Sequence, residues 1–152
     1  MRVNTTGEIT AAYPQFRFES ADEFCYDAAA DVIYFDERTL ESESGRLSLL
    51  HEIAHAELAH FDFQTDFELF AMETRAWART RDLAHTYGVD CSEQFIIDCL
   101  TSYADWVTER ATCPACENFS LQQDATTYRC FRCQTRWHIE TDAKNRVRRV
   151  KL

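Results

Sequence analysis

Two cysteine pairs, Cys113-Pro114-Ala115-Cys116 and Cys130-Phe131-Arg132-Cys133, separated by thirteen residues, constrain this chain more than any other feature. That spacing lets two tight turns approach each other and bring four sulfur atoms to the corners of a tetrahedron, the arrangement of a zinc ribbon. Four sulfur ligands close the coordination shell, so such a zinc is structural. It holds together a segment of some 30 residues, too short to build a sufficient hydrophobic core. A redox role for either pair suits the context poorly, because the pairs occur together. His138 could replace one thiol but is not needed. The chain has seven cysteines, an odd number, and paired Cys-x-x-Cys in a reducing compartment implies metal rather than disulfides. Cys25, Cys91 and Cys99 are expected to be buried apolar residues.

Charge changes where the cysteine pairs begin. Residues 1–110 hold 8 Arg and Lys against 22 Asp and Glu, and residues 111–152 hold 8 against 4, so the two parts carry −14 and +4. The expected organisation is therefore a domain over 1–110 and a ribbon with a basic tail over 111–152. The net charge of −10 excludes a protein that coats nucleic acid with its whole surface. The first eight residues hold no apolar stretch of the kind that opens a secretory signal. No run approaches the roughly 18 apolar residues of a membrane helix, so the expectation is a cytoplasmic protein without membrane contact.

Within 1–110, residues 13–18 and 32–36 are short, aromatic and β-branched, as strands are, with 23–26 as a partner to the second. Ser42 to Gly45 offer capping hydroxyls ahead of Leu47, Leu50, Ala54 and Leu58, at helical spacing, and Leu49, Ile53 and Ala56 make a second flank apolar. A long helix is predicted over 67–87, stopping at Gly88, and a third over 92–110. The fold class is α+β: a short sheet and about three helices, followed by the ribbon. Beyond Thr112 the pattern shortens to alternating pieces at 127–129 and 136–140.

The first long helix carries His51-Glu52-Ile53-Ala54-His55. Four helical residues turn through about 400°, so His51 and His55 face one way and can offer two imidazoles to one ion. Glu52, beside them, is placed to take a proton from a metal-bound water that attacks a peptide carbonyl. As ordinary core residues, these three would cost stability on a helix that is apolar on both flanks.

A catalytic zinc takes a third protein ligand. His60 lies five residues past His55, about 140° away on a continuous helix, and suits a position at the helix end or behind a ligand. The extended zincin pattern would place a Gly and a third His where this chain has Leu58 and Phe61. Glu73 stands apart from the other acids because its helical neighbours are Leu69, Phe70, Ala76 and Trp77. A carboxylate aimed into an apolar stripe needs a cation, either the zinc or an arginine such as Arg79 or Arg110. Glu68 lies on a more solvated face. Tyr87, His85 and Tyr103 are candidate oxyanion donors.

These residues carry a resemblance. His51-Glu52-Ile53-Ala54-His55 followed by Glu73-Thr74-Arg75-Ala76-Trp77-Ala78 is similar to the ImmA/IrrE group of zinc metallopeptidases, with Thr74 for the usual Ala and no Met-Pro closing the second helix. The resemblance implies a small zincin-like fold, Glu73 as third ligand and, for many members, cleavage of repressor proteins on DNA. A peptidase followed by a zinc ribbon also resembles the SprT/Spartan group in architecture, although those enzymes use a third His. The expected function is a metallopeptidase with one catalytic and one structural Zn2+, acting on a protein substrate, with a DNA-associated regulator as one candidate. The rivals are a non-catalytic adaptor and a zinc hydrolase of a non-peptide substrate.

The ribbon's Arg129, Arg132, Arg136, Lys144, Arg146, Arg148, Arg149 and Lys151, with Tyr128, Phe131 and Trp137 for stacking, suit contact with nucleic acid. They suit a stability module, or a lid on the acidic domain, equally well.

Overall fold

The computed structural model describes residues 6–141 and 146–152; Lys144 lies outside them. Their order is α1 (Thr6–Ala11), β1 (Arg17–Ser20), β2 (Cys25–Asp27), β3 (Val32–Phe35), a 3-10 turn (Glu37–Thr39), α2 (Glu43–Glu57), α3 (Asp66–Tyr87), α4 (Glu93–Ala111), β4 (Leu121–Gln122), β5 (Thr127–Arg129), β6 (Arg136–Thr141) and β7 (Val147–Lys151). The class is α+β. No helix among the described residues is long and apolar enough to cross a membrane.

The chain divides into two compact units, 1–62 with 72–96, and 63–71 with 97–152. This differs from the expected boundary at Ala111. The first turn of α3 and most of α4 belong with the ribbon because Arg110 and Asp66 form a buried ion pair, Nε to Oδ2 at 2.9 Å. The Tyr128 hydroxyl donates to the same oxygen, and Trp137 Nε1 donates to Arg110 O at 3.0 Å. A charged pair this dry holds only when its remaining hydrogen bonds are filled. Arg110 Nη2 donating to Ala125 O at 2.9 Å and Gln122 Nε2 donating to Asp66 Oδ1 at 3.5 Å help fill them.

In the first unit the sheet order is β1-β3-β2, with β1 parallel and β2 antiparallel to the central β3. The strand expected at 13–18 starts only at Arg17. Pro14 lacks a donor for a ladder, and Tyr13 instead ends a turn after α1, where it is buried and stacks on Phe16. The β2–β3 hairpin closes through Asp27, whose Oδ1 accepts from Ala29 N and Ala30 N, and through Asp31 at φ 54°. Both apolar flanks of α2 are buried, Leu50 on the first and Leu49 and Ile53 on the second completely, and the helix packs on β2 and β3.

Capping follows the sequence. Ser42 Oγ accepts from Gly45 N at 3.0 Å to start α2. A capping box starts α3. Thr65 Oγ1 accepts from Glu68 N and Glu68 Oε2 from Thr65 N, filling two donors the helix cannot fill itself. Gly88, at φ 68°, ends α3 as expected, with Val89 N donating to Ala84 O.

In the second unit β4-β5-β6-β7 form an antiparallel meander. β7 is a strand where the sequence reads as a basic tail. Its Val147, Arg149 and Lys151 share the face of Ile139 and Trp137 while Val150 lies on the other, so the strand carries no apolar alternation that sequence could show. Tyr128 and Trp137 are fully buried, their rings stacked 5.5 Å apart, and with Ile139 and the cysteines they form the ribbon's core. They are therefore closed to the stacking role expected of them, and among the three aromatics only Phe131 is exposed. The other cysteines also differ from expectation. Cys25 is exposed on the edge strand β2, and Cys91 and Cys99 are half-buried.

Candidate metal centres

In the first unit α2 and α3 bring His51, His55 and Glu73 together in one cluster that could hold a metal ion. His51 Nε2 lies 3.1 Å from Glu73 Oε2, His55 Nε2 lies 3.3 Å from Glu73 Oε1, and the two Nε2 atoms are 3.1 Å apart. Donors that share a tetrahedral zinc at about 2.0–2.1 Å stand about 3.3 Å from one another. The three side chains fit such an ion. They are nearly closed to solvent, with side-chain exposures of 11%, 12% and 8%. Glu73 takes neither arginine considered for it, since Arg79 pairs with Glu57 and Arg110 with Asp66. Burial drives its carboxyl upward, but the hydrogen bonds with His51 and His55 outweigh that and hold it at about 2. A group kept ionised in a buried place is one that expects a positive charge.

Glu52 sits one residue along α2. The Tyr26 N–H of edge strand β2 donates to its Oε2 at 2.8 Å, which sets the carboxylate's direction. Burial pushes its pKa above the ordinary carboxylate range, against the pull of His51, His55 and the Tyr26 N–H. Raising a carboxyl toward neutrality suits it to receive and return protons.

His60 is behind the cluster rather than in it, as expected of a residue at the helix end, although α2 stops at Glu57 and His60 does not lie on it. Its Nδ1 lies 2.9 Å from His55 Nδ1, on the side of that ring away from Glu73. Burial, with His55 and Arg75, pushes it down to about 4. Two further residues were not anticipated. Thr80 is fully buried with Oγ1 3.2 Å from His51 Nδ1, and Trp77 stacks on the His51 ring with centroids 4.0 Å apart. Both lie on the face of α3 that bears Glu73, at plus four and plus seven, and a Thr continuing an apolar stripe is the signal that could have found one of them. Of the proposed oxyanion donors, Tyr87 packs against Tyr13, His85 is exposed, and Tyr103 belongs to the second unit.

In the second unit Cys113, Cys116, Cys130 and Cys133 gather as expected. Sγ of Cys113 and Cys133 are 3.6 Å apart, and those of Cys116 and Cys130 are 3.5 Å apart. These are far from a disulfide bond and close to the roughly 3.8 Å edge of a tetrahedron with 2.3 Å zinc–sulfur bonds. The two turns repeat one design. Glu117 N donates to Cys113 O and Gln134 N to Cys130 O, each at 2.9 Å, and Glu117 and Gln134 adopt φ 59° and 64°. Backbone N–H groups point at sulfur, from Ala115 to Cys113 and from Cys133 to Cys130, both at 3.4 Å. The Cys133 N–H, first among the causes, brings Cys130 down to about 6, while burial pushes Cys113 up. Thiolates are the ligand form, so these donors favour metal. His138 faces Glu140 at 3.2 Å and takes no part.

The two clusters differ in closure. Four cysteines fill a tetrahedron, whereas two histidines and a glutamate leave one position over. No family model matches the chain, and no curated protein or solved structure matches it.

Proposed function

We propose that the chain is a zinc-dependent peptidase with a small zincin-like domain and a structural zinc ribbon. His51, His55 and Glu73 hold the catalytic zinc, and Glu52 is the base. The observation that carries this reading is the convergence of two Nε2 atoms and one carboxylate at tetrahedral spacing, with an oriented, pKa-raised Glu52 as the neighbour on the helix.

A bound zinc would polarise the scissile carbonyl and make its water a ready nucleophile. Glu52 would receive the proton that the water gives up and return it to the departing amine. The Tyr26 N–H keeps that carboxylate turned one way throughout. Glu73 adds one negative charge to two neutral imidazoles, leaving the site less negative than a dicarboxylate cage, so a carbonyl oxygen can approach.

Resemblance to the ImmA/IrrE group extends the proposal to a DNA-associated regulator as substrate. Support for recruitment by the ribbon comes from exposed Arg129, Arg132, Arg136, Arg148 and Lys151, and from exposed Phe131 next to Arg132 in the chain.

The test is metal analysis of the full chain joined to cleavage of denatured casein and a quenched peptide library. The parent should hold two zincs. Glu52→Gln should keep both and lose cleavage by on the order of 10²–10⁴-fold. One zinc or fewer in the parent, or equal cleavage by the variant, refutes the reading. Two zincs with no cleavage by the parent favours the adaptor.

A further inference from the structure

We propose that Thr80 and His60 are positioning residues that fix the proton on the outer nitrogen of each ligand imidazole, so that both Nε2 atoms face the metal as bare lone pairs. The inference rests on the His51, His55 and Glu73 metal site and goes beyond its ligand list.

A hydroxyl has one proton to give. Thr80 Oγ1 gives its proton to Ala76 O at 2.7 Å, inside its own helix. Toward His51 Nδ1, 3.2 Å away, Thr80 can then only accept. The proton that His51 keeps when it binds a metal therefore resides on Nδ1, and its Nε2, 3.1 Å from Glu73, exchanges its hydrogen bond with that carboxylate for the metal. Trp77, stacked at 24° to the ring, keeps its plane from rolling. The Thr80 hydroxyl is wholly buried, so water does not substitute for this acceptor.

The same logic runs through His55. Its Nε2 faces the cluster and its Nδ1 lies 2.9 Å from His60 Nδ1. With His55 Nε2 as a ligand, the shared proton sits on His55 Nδ1, and His60 Nδ1 accepts while its own proton is on Nε2. An imidazole thus stands where a carboxylate or carbonyl commonly backs a metal-bound histidine. The chain puts it there by a backbone device. Leu58 ends α2, Ala59 turns left-handed at φ 51°, and His60 N donates back to His55 O while Ala59 N donates to Ala56 O. That paired closure turns the chain over the last helical turn and carries the ring of His60 to His55.

Zinc affinity of the full chain, titrated against a chromophoric chelator, separates this from a merely structural role, with the ribbon zinc as internal reference and the melting temperature of the metal-free protein read alongside. Thr80→Val and His60→Ala should each weaken the His/Glu-site zinc by about 10–100-fold and leave the ribbon zinc unchanged. Thr80→Ser and His60→Asn each restore an acceptor at the same place and should return affinity to within about threefold of the parent. Parent-like affinity in Thr80→Val and His60→Ala, or equal weakening at both zincs, overturns the proposal. A parent that binds zinc only at the cysteines overturns the metal site itself, and that outcome is distinct because it precedes any substitution.

Discussion

Gly45 lies in the first turn of α2, where replacing glycine by alanine ordinarily stabilises a helix by about 1 kcal/mol. Here the sign should reverse. A Cβ at this position would stand 2.1 Å from Thr39 O and 2.5 Å from Thr39 C, both backbone atoms. The carbonyl cannot step aside freely, because it accepts from Ser42 N at 2.9 Å and from Ser42 Oγ at 2.6 Å. Ser42 Oγ is also the cap that accepts from Gly45 N. Opening the gap to ordinary contact therefore sacrifices the cap and one or two further hydrogen bonds, about 0.5–2 and about 0.5–1.5 kcal/mol each. Set against the helix gain, the net loss is about 2 kcal/mol at the centre of these ranges. For a chain of this size that is a fall in melting temperature of about 4–8 °C. Circular dichroism during urea and thermal unfolding reads it. Gly7→Ala is the control, since a Cβ there meets nothing within 4 Å, and it should match or exceed the parent. Gly45→Ala at or above parental stability would refute the reasoning about the closure between the 3-10 turn and α2.

Ala59→Gly should stabilise by about 0.5–1 kcal/mol, because removing a Cβ from a left-handed residue outweighs the added chain entropy; a lower urea midpoint would contradict this. Asp66→Ala strands the buried Arg110 guanidinium and should cost about 3–5 kcal/mol, against about 1 kcal/mol for Tyr128→Phe, which removes only a hydroxyl; equal midpoints for the two would contradict the assignment of the pair as the anchor. Cys130→Ser should release the ribbon zinc and abolish the near-ultraviolet signal of Trp137, since a structural zinc supplies on the order of 10 kcal/mol of folding free energy; a retained signal would show the aromatic core suffices alone.

Much of the site is legible in sequence because it depends on local spacing. His51, Glu52 and His55 follow from one helical turn, and Glu73 from the apolar residues at its helical neighbours. Tertiary facts are less so. The Tyr26 N–H that orients Glu52 belongs to an edge strand whose pairing, Tyr26 opposite Ile33, no local pattern specifies. Trp137 and Tyr128 read as surface aromatics because arginines surround them, yet alternation along β5 and β6 turns them inward while Arg129 and Arg136, paired across the strands, share the opposite face. In β7 basic residues occupy both faces, with Arg149 and Lys151 on one and Arg148 on the other, and hide the strand.

The turns beside the metal sites were hidden for a different reason. Left-handed backbone is ordinarily signalled by glycine, and this chain has three, of which only Gly88 has positive φ among the described residues. The four non-glycine residues with positive φ there are Asp31, Ala59, Glu117 and Gln134. Glu117 and Gln134 follow the second cysteine of each pair, Ala59 swings His60 back to His55, and Asp31 closes the hairpin whose Tyr26 N–H holds Glu52. Each conformation costs about 1–2 kcal/mol and persists only where its surroundings over-determine it. Strain of this kind leaves no residue signature, so the sequence reveals the ligands and conceals the turns that aim them. Three of these turns border the two clusters that could hold metal, and the fourth, at Asp31, closes the hairpin that orients Glu52.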